Sequence, residues 1–201
     1  MDAADVVEFR PGFGRGMTWV TGALCAVALG ATAWGDPHEG LRVAPVLAFV
    51  STGVWALFGR PAVVVTPAGV EVRNVLRTID LPWPSIQRID TKYALTLFTT
   101  YGSYAAWAAP APSRARTLQA GPDEVARTSE ARAVGVRPGD LANSASGQAA
   151  AYIRRRWDEL REAGVLDRPR LERDRPRVQW HVATIVAAAV LGVLSALSLS
   201  L

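Results

Sequence analysis

Three apolar stretches punctuate the chain, at Met17–Trp34, Val43–Gly59 and Val182–Leu199, and Cys25 is the only ionisable side chain within them. Each is long enough for a helix to cross the hydrocarbon core, where every backbone amide must find its partner inside its own segment. The pattern predicts an integral membrane protein with one polar domain between its second and third spans. Residues 1–16 form an N-terminal tail, 35–42 a loop, 60–166 the domain and 167–181 an Arg-rich linker.

The first stretch also has features of a secretory signal. Arg10 and Arg15 precede it, and Ala31-Thr32-Ala33 has the small-x-small form of a cleavage site. It is longer than the usual signal core, however, and a second apolar run follows almost at once, so an uncleaved helix is expected.

Inside the domain the period changes from helical to alternating. Ala62–Thr66 is a β-branched run, and Val70–Val75 places Val70 and Val72 opposite Glu71 and Arg73. Arg77–Leu81, Ile86–Thr91, Ala94–Thr100 and Tyr104–Trp107 complete six short strands, separated by Pro67-Ala68-Gly69, Pro82-Trp83-Pro84 and Tyr101-Gly102-Ser103. Gly69 is expected to supply a positive φ in the first turn. No helix fits between these strands, so they predict an antiparallel meander.

After Pro112 the apolar content falls, and residues 113–146 read as a flexible insertion with a short helix near Asp123–Ala133. Residues 147–163 then recover helical spacing, capped by Ser146 and ended by Gly164. Ile153, Trp157 and Leu160 share one stripe with Ala149 and Ala150 beside it, a face suited to covering the sheet. The fold class that results is three membrane helices plus a small α+β domain. That domain is an antiparallel β-barrel or meander of pleckstrin-homology (PH) type, closed by one C-terminal amphipathic helix.

Charge decides the orientation. Arg10 and Arg15 precede the first run, Arg60 follows the second, and Arg168, Arg170, Arg173, Arg175 and Arg177 precede the third. The loop core Gly35–Gly40 holds no Lys or Arg, though Arg42 lies at the loop's far edge. The positive-inside rule then puts the N-terminus and domain in the cytoplasm and the C-terminus outside the cell membrane. Trp19, Trp34, Trp55 and Trp180 stand near span ends, where indoles anchor. Asp167, Glu172 and Asp174 interleave with the last arginines, so that segment is expected to set orientation and not to bind lipid tightly. The formal charge of +4 gives no reason to expect nucleic acid.

Pro61–Pro112 resembles the actinobacterial PH-domain membrane proteins of the low-molecular-weight protein antigen 6 type. The landmarks are Gly69-Val70, Val72-Arg73-Asn74, Leu81-Pro82-Trp83 with Ile86, and Trp107-Ala108-Ala109-Pro110-Ala111-Pro112. The resemblance implies a fold and a membrane location, and no defined biochemical role.

Candidate chemistry is sparse. His38 and His181 fall on opposite sides of the membrane in this topology, and Cys25 is the sole cysteine, so neither a metal site nor a cofactor is expected. Asp80 and Asp90 would make an acid–base pair if adjacent, but solvated strand ends are the simpler reading. Neither a phosphate-binding Gly loop nor a nucleophile elbow is present, so no enzyme activity is expected. Arg73 and Arg77 flank a strand turn and are the candidate contacts for an anionic lipid headgroup, although the basic cluster such a site needs is missing. Trp83 and Trp107 are expected to plug the barrel. Gly22-x3-Ala26-x3-Gly30 and Ala188-x3-Gly192-x3-Ala196 are small-residue ladders for close helix packing, within one chain or between copies. The partners expected are the bilayer and an unidentified protein, which a second copy of this chain would satisfy.

Overall fold

The computed structural model describes residues 6–110, 145–166 and 175–200. The proposed insertion helix, most of the insertion and part of the Arg-rich linker lie outside the described residues, as does the Ser146 side chain. The chain divides into two compact units. One comprises Met1–Arg10, Ala62–Asn74 and Thr78–Gln179; the other Pro11–Pro61, Val75–Arg77 and Trp180–Leu201.

The helical unit holds α1 (Gly12–Gly35), α2 (Pro37–Val54) continuing into a π-helical turn at Trp55–Gly59, and the C-terminal helix Val182–Ser200. All three are long and apolar enough to cross a membrane. The expected loop between the first two shrinks to Asp36. Its carboxylate accepts the His38 backbone N–H at 2.8 Å, its own N–H donates to Thr32 O at 2.9 Å, and Pro37 occupies the first helical position.

Close approach defines this hairpin at both ends. A Cβ on Gly14 would overlap the Phe58 carbonyl, and one on Gly40 would fall 2.8 Å from Ala33. At the C-terminal helix Arg60, after α2, donates to the Thr184 hydroxyl, while Arg42, near the start of α2, donates to Ser198 O at 2.9 Å. That helix therefore runs antiparallel to α2. Of the two ladders, Gly192 packs against Phe49 of α2 at 3.4 Å from its would-be Cβ, whereas Gly22 and Gly30 face open space.

The sheet unit contains β1 (Val7–Phe9), β2 (Ala62–Val65), β3 (Gly69–Arg73), β4 (Arg77–Pro82), β5 (Ile86–Asp90), β6 (Ala94–Thr99), β7 (Gly102–Pro110), α3 (Ala145–Glu162) and β8 (Arg177–Trp180); we label the C-terminal helix α4. The six expected strands are β2–β7. Two more come from the segments read as tail and linker: the first sheet runs β1-β2-β3-β4-β8, the second β5-β6-β7. β1 pairs antiparallel with β2, Glu8 opposite Val64, so the α1–α2 hairpin is an insertion between two neighbouring strands. Only Arg10-Pro11 separates β1 from α1, and only Arg60-Pro61 separates the π-turn from β2. In both pairs the proline supplies no backbone N–H to the element before it, and Arg60 keeps αR dihedrals as the cap of the π-turn.

The core collects the inward positions of both sheets. Val63, Val65, Val70, Val72, Ile79 and Leu81 come from the first and Leu95, Leu97, Ala106 and Ala108 from the second, with Trp83 and Ile86 where the chain passes between them. Helix α3 adds Ala149, Ala150 and Ile153, all buried, with Trp157 and Leu160 partly buried beside them, as the stripe predicts. It ends in a Schellman turn: Gly164 has φ +69°, its N–H donates to Arg161 O at 3.0 Å, and Val165 N–H donates to Leu160 O at 3.0 Å.

Two expectations need correcting. Gly69 does not supply a positive φ; it is opposite Pro82, and a Cβ there would overlap the Leu81 carbonyl. Glycine is needed for close backbone approach, and among the strand turns the positive φ occurs instead at Gly102, the first residue of β7. Trp107 does not plug the core. It is 56% exposed, because β7 turns Ala106 and Ala108 inward and the residue between them must point out.

Candidate functional site

The outward face of the first sheet carries most of its organised charge. Cross-strand register places Glu8 beside Val64, Val64 beside Glu71, and Glu71 beside Asp80. Arg73, one step along β3 on the same face, donates to Glu71 at 2.6 Å and reaches Glu8 at 3.5 Å. Arg10 donates to Glu8 at 2.6 Å. The hydrogen bond that Arg73 donates to Glu71 raises the Arg73 pKa further and fixes its charge. Burial pushes the Asp80 carboxyl up from the ordinary aspartate range and Glu71 pushes it further, while Arg177 and Arg73 pull it back. Acids and arginines thus interleave here, and the guanidinium of Arg73 already holds carboxylates.

Arg77 has a different neighbour: its guanidinium stacks 5.6 Å from the centroid of the Trp180 ring. The two arginines singled out for an anionic ligand thus each have a local partner within their own unit, Glu71 for Arg73 and Trp180 for Arg77. The suggested carboxylate pair also separates, since Asp80 belongs to β4 of the first sheet and Asp90 to β5 of the second, where it accepts the Lys92 N–H at 2.9 Å. Among the described residues no group of three His, Cys, Asp or Glu side chains is placed to hold a metal ion.

The aromatic positions are more informative. Trp83 is 2% exposed and donates from Nε1 to Thr66 O at 3.1 Å, so its one polar atom is satisfied. Trp107 stands out from β7 beside a side-chain clamp. Asn74, just past β3, donates from Nδ2 to Ala105 O at 2.9 Å and accepts the Trp107 N–H at 2.8 Å. One amide thereby occupies a donor and an acceptor on β7, in the manner of a neighbouring strand. This holds the strand rigid where it displays the exposed indole. The sequence gives no signal of the clamp, because its alternation runs through Val75 and places Asn74 inside the strand that the structure ends at Arg73.

A concavity lies between β5 and α3. It is a cleft of about 270 Å³ lined by Gln87, Arg88, Ile89, Arg154, Trp157 and Asp158. β5 is an edge strand whose pairing with β6 shifts register between Ile86 and Arg88. Arg88 lies 4.0 Å over the Phe98 ring, and Trp157 closes one end by donating from Nε1 to Ile86 O at 3.1 Å.

An exposed aromatic on a clamped strand and a mixed polar–apolar cleft at a sheet edge are both surfaces that another molecule can meet. No curated protein and no solved structure matches the chain. Residues 60–156 do match the family described as "Bacterial PH domain", a stretch running from the exit of the α1–α2 hairpin into α3. With the two antiparallel sheets and the covering helix, that match supports a PH-domain-containing protein, whose strands β1 and β8 lie outside the matched stretch.

Proposed function

We propose that this chain is an integral membrane protein that presents its PH-like domain to the cytoplasm as a protein-interaction module and catalyses nothing itself. The observation that carries the choice of protein over lipid is the state of Arg73. Its charge is held by Glu71 and Glu8, and the face around it carries acids beside arginines, which is a poor receptor for an anionic headgroup. The 56% exposed Trp107, on a strand clamped by Asn74, is the kind of anchor that dominates protein contacts.

One argument supports the orientation, and a second supports the number of crossings. Lys/Arg bias favours the N-terminus and domain inside. In addition β1 precedes α1 and pairs with β2, which follows α2, so an even number of crossings separates them. The same pairing supports an uncleaved first helix, since cleavage after Ala33 would remove β1 from the sheet.

The test is photo-crosslinking in native membranes, with p-benzoylphenylalanine replacing Trp107 in one variant and Glu162 in another. A discrete protein adduct, with a second copy or another chain, at position 107 alone supports the reading. Its absence, together with headgroup-selective lipid adducts, overturns it and favours lipid recognition by the same domain.

A further inference from the structure

We propose that the β3–β4 turn is itself a membrane contact, seated in the headgroup region with Leu76 as its apolar anchor and Arg77 positioned for lipid phosphate. The proposal rests on the reading of the helices as spans, and adds a lipid-facing element from the segment that links two strands.

Val75, Leu76 and Arg77 belong to the helical unit, although the strands on either side pair within the sheet. Backbone bonds fix them there. The His181 N–H donates to Leu76 O at 2.9 Å, and His181 Nδ1 lies 3.3 Å from Val75 O. His181 immediately precedes α4, so the turn is held at the entry of an apolar helix. Leu76 presents its side chain 51% exposed at that level, next to a Trp180 that is 57% exposed.

A single exposed leucine is ordinary on a water-facing surface. This one is tied by its own carbonyl to the residue from which an apolar helix starts, and its neighbour Arg77 stacks on an indole at the same place. Trp and Arg are the residues that settle at the membrane–water boundary, the indole at headgroup depth and the guanidinium reaching toward phosphate. A second such stack stands at the same end of the helical unit. Arg60 lies 5.3 Å from the Trp55 ring centroid and donates to Thr184, in the first turn of α4. Two Arg–Trp stacks thus mark one level, and Leu76 is bonded to it. Stacking uses the face of a guanidinium and leaves its edge N–H groups available to phosphate oxygens.

Site-directed spin labelling of the full chain in nanodiscs, in a Cys25→Ser background, tests this. Nitroxides are placed by Leu76→Cys, by Val190→Cys in α4 and by Tyr93→Cys in the β5–β6 turn. Collision rates with oxygen, which favours the bilayer, and with a water-soluble nickel chelate give the depth of each. Position 76 is expected to show an oxygen-to-nickel ratio several-fold above position 93 and below position 190. A ratio at 76 equal to that at 93 overturns the proposal, and so does shielding of 76 from both reagents, which would mean protein covers it. Nickel access at 190 would instead overturn the spanning reading itself. Methyl NMR of the unsubstituted chain in nanodiscs carrying spin-labelled lipid supplies the same readout at Leu76 without a mutation, and absence of broadening there counts against the proposal.

Discussion

The indole N–H of Trp157 donates to the carbonyl oxygen of Ile86 at 3.1 Å. The bond joins the middle of α3 to the first residue of the edge strand β5, at the point where the β5–β6 register shifts. An edge strand has backbone acceptors without a ladder partner, and here the helix satisfies one of them. Trp157 therefore contributes both apolar surface to the core margin and one hydrogen bond that fixes where the helix sits along β5.

Two substitutions separate those contributions. Trp157→Phe keeps most of the ring and removes the donor, and should cost about 1 kcal/mol. Trp157→Ala removes the ring as well and should cost about 2–3 kcal/mol, under the value for a fully buried tryptophan because the residue is only partly buried. Amide hydrogen exchange of α3 and β5, in the full chain in nanodiscs, reads both. A loss under about 1 kcal/mol for Trp157→Ala would remove the stripe from the core.

At the helical hairpin, Gly14→Ala should lower stability by about 1–3 kcal/mol, since the added carbon meets the Phe58 backbone and not a flexible side chain. Gly22→Ala, where nothing lies within 4 Å, should be neutral. Thermal unfolding in micelles compares the two. Equal effects would mean that α1 does not pack on the π-turn as described.

The pH dependence around Asp80 has a definite sign. Its folded pKa is raised above the unfolded value, chiefly by burial and then by Glu71, so the folded state binds that proton more tightly. Ionisation is therefore a penalty on the folded state. The penalty is absent below the ordinary aspartate range, grows as pH rises toward the folded pKa, and is complete above it. Asp80→Asn should leave the chain at least as stable as wild type at neutral pH and flatten this part of the stability profile. Thermal unfolding of both proteins from pH 3 to 7 measures it; clear destabilisation by Asp80→Asn at neutral pH would mean that the attraction of Arg177 and Arg73 outweighs the burial.

Arg73→Gln bears on the choice between protein and lipid. Because the ion pairs of Arg73 are partly exposed, the expected change in stability is under about 1 kcal/mol. Titration of the chain in nanodiscs with glycerol phosphate should show no saturable binding in either form. Saturable binding lost on Arg73→Gln would promote headgroup recognition.

Where a strand has room for several alternations, its place was readable: β6 alternates half-buried and buried positions along its whole length, and Leu95 and Leu97 face the core as the pattern requires. β1 and β8 were not readable, because three and four residues are too few to establish a period and their pairing depends on edges made elsewhere. Trp107 misled because size suggested burial, while parity decided it: the alanines on either side are small enough to pack inside β7. Gly69 misled in a related way, since a glycine in a turn suggests φ and here the constraint was the passing backbone of β4. The arginines could be counted but not assigned, because Arg73 finds Glu8 only once β1 has joined the sheet.

The joining of β1 to β2 leads to the remaining prediction. Since the strands pair across the hairpin, residues on the sheet unit must share one side of the membrane with Val7–Phe9, and Asp36 at the hairpin tip must lie on the other if α1 and α2 both cross. In a Cys25→Ala background, a cysteine replacing His38 should react with a membrane-impermeant maleimide in intact cells. One replacing Tyr93, which is 79% exposed, should react only after lysis. The reverse pattern would invert the orientation and leave the pairing intact, because positive-inside bias fixes direction whereas the β1–β2 ladder fixes only that the crossings are even. Labelling of both positions in intact cells would place the two sites on one side, and that would sink the spanning hairpin itself.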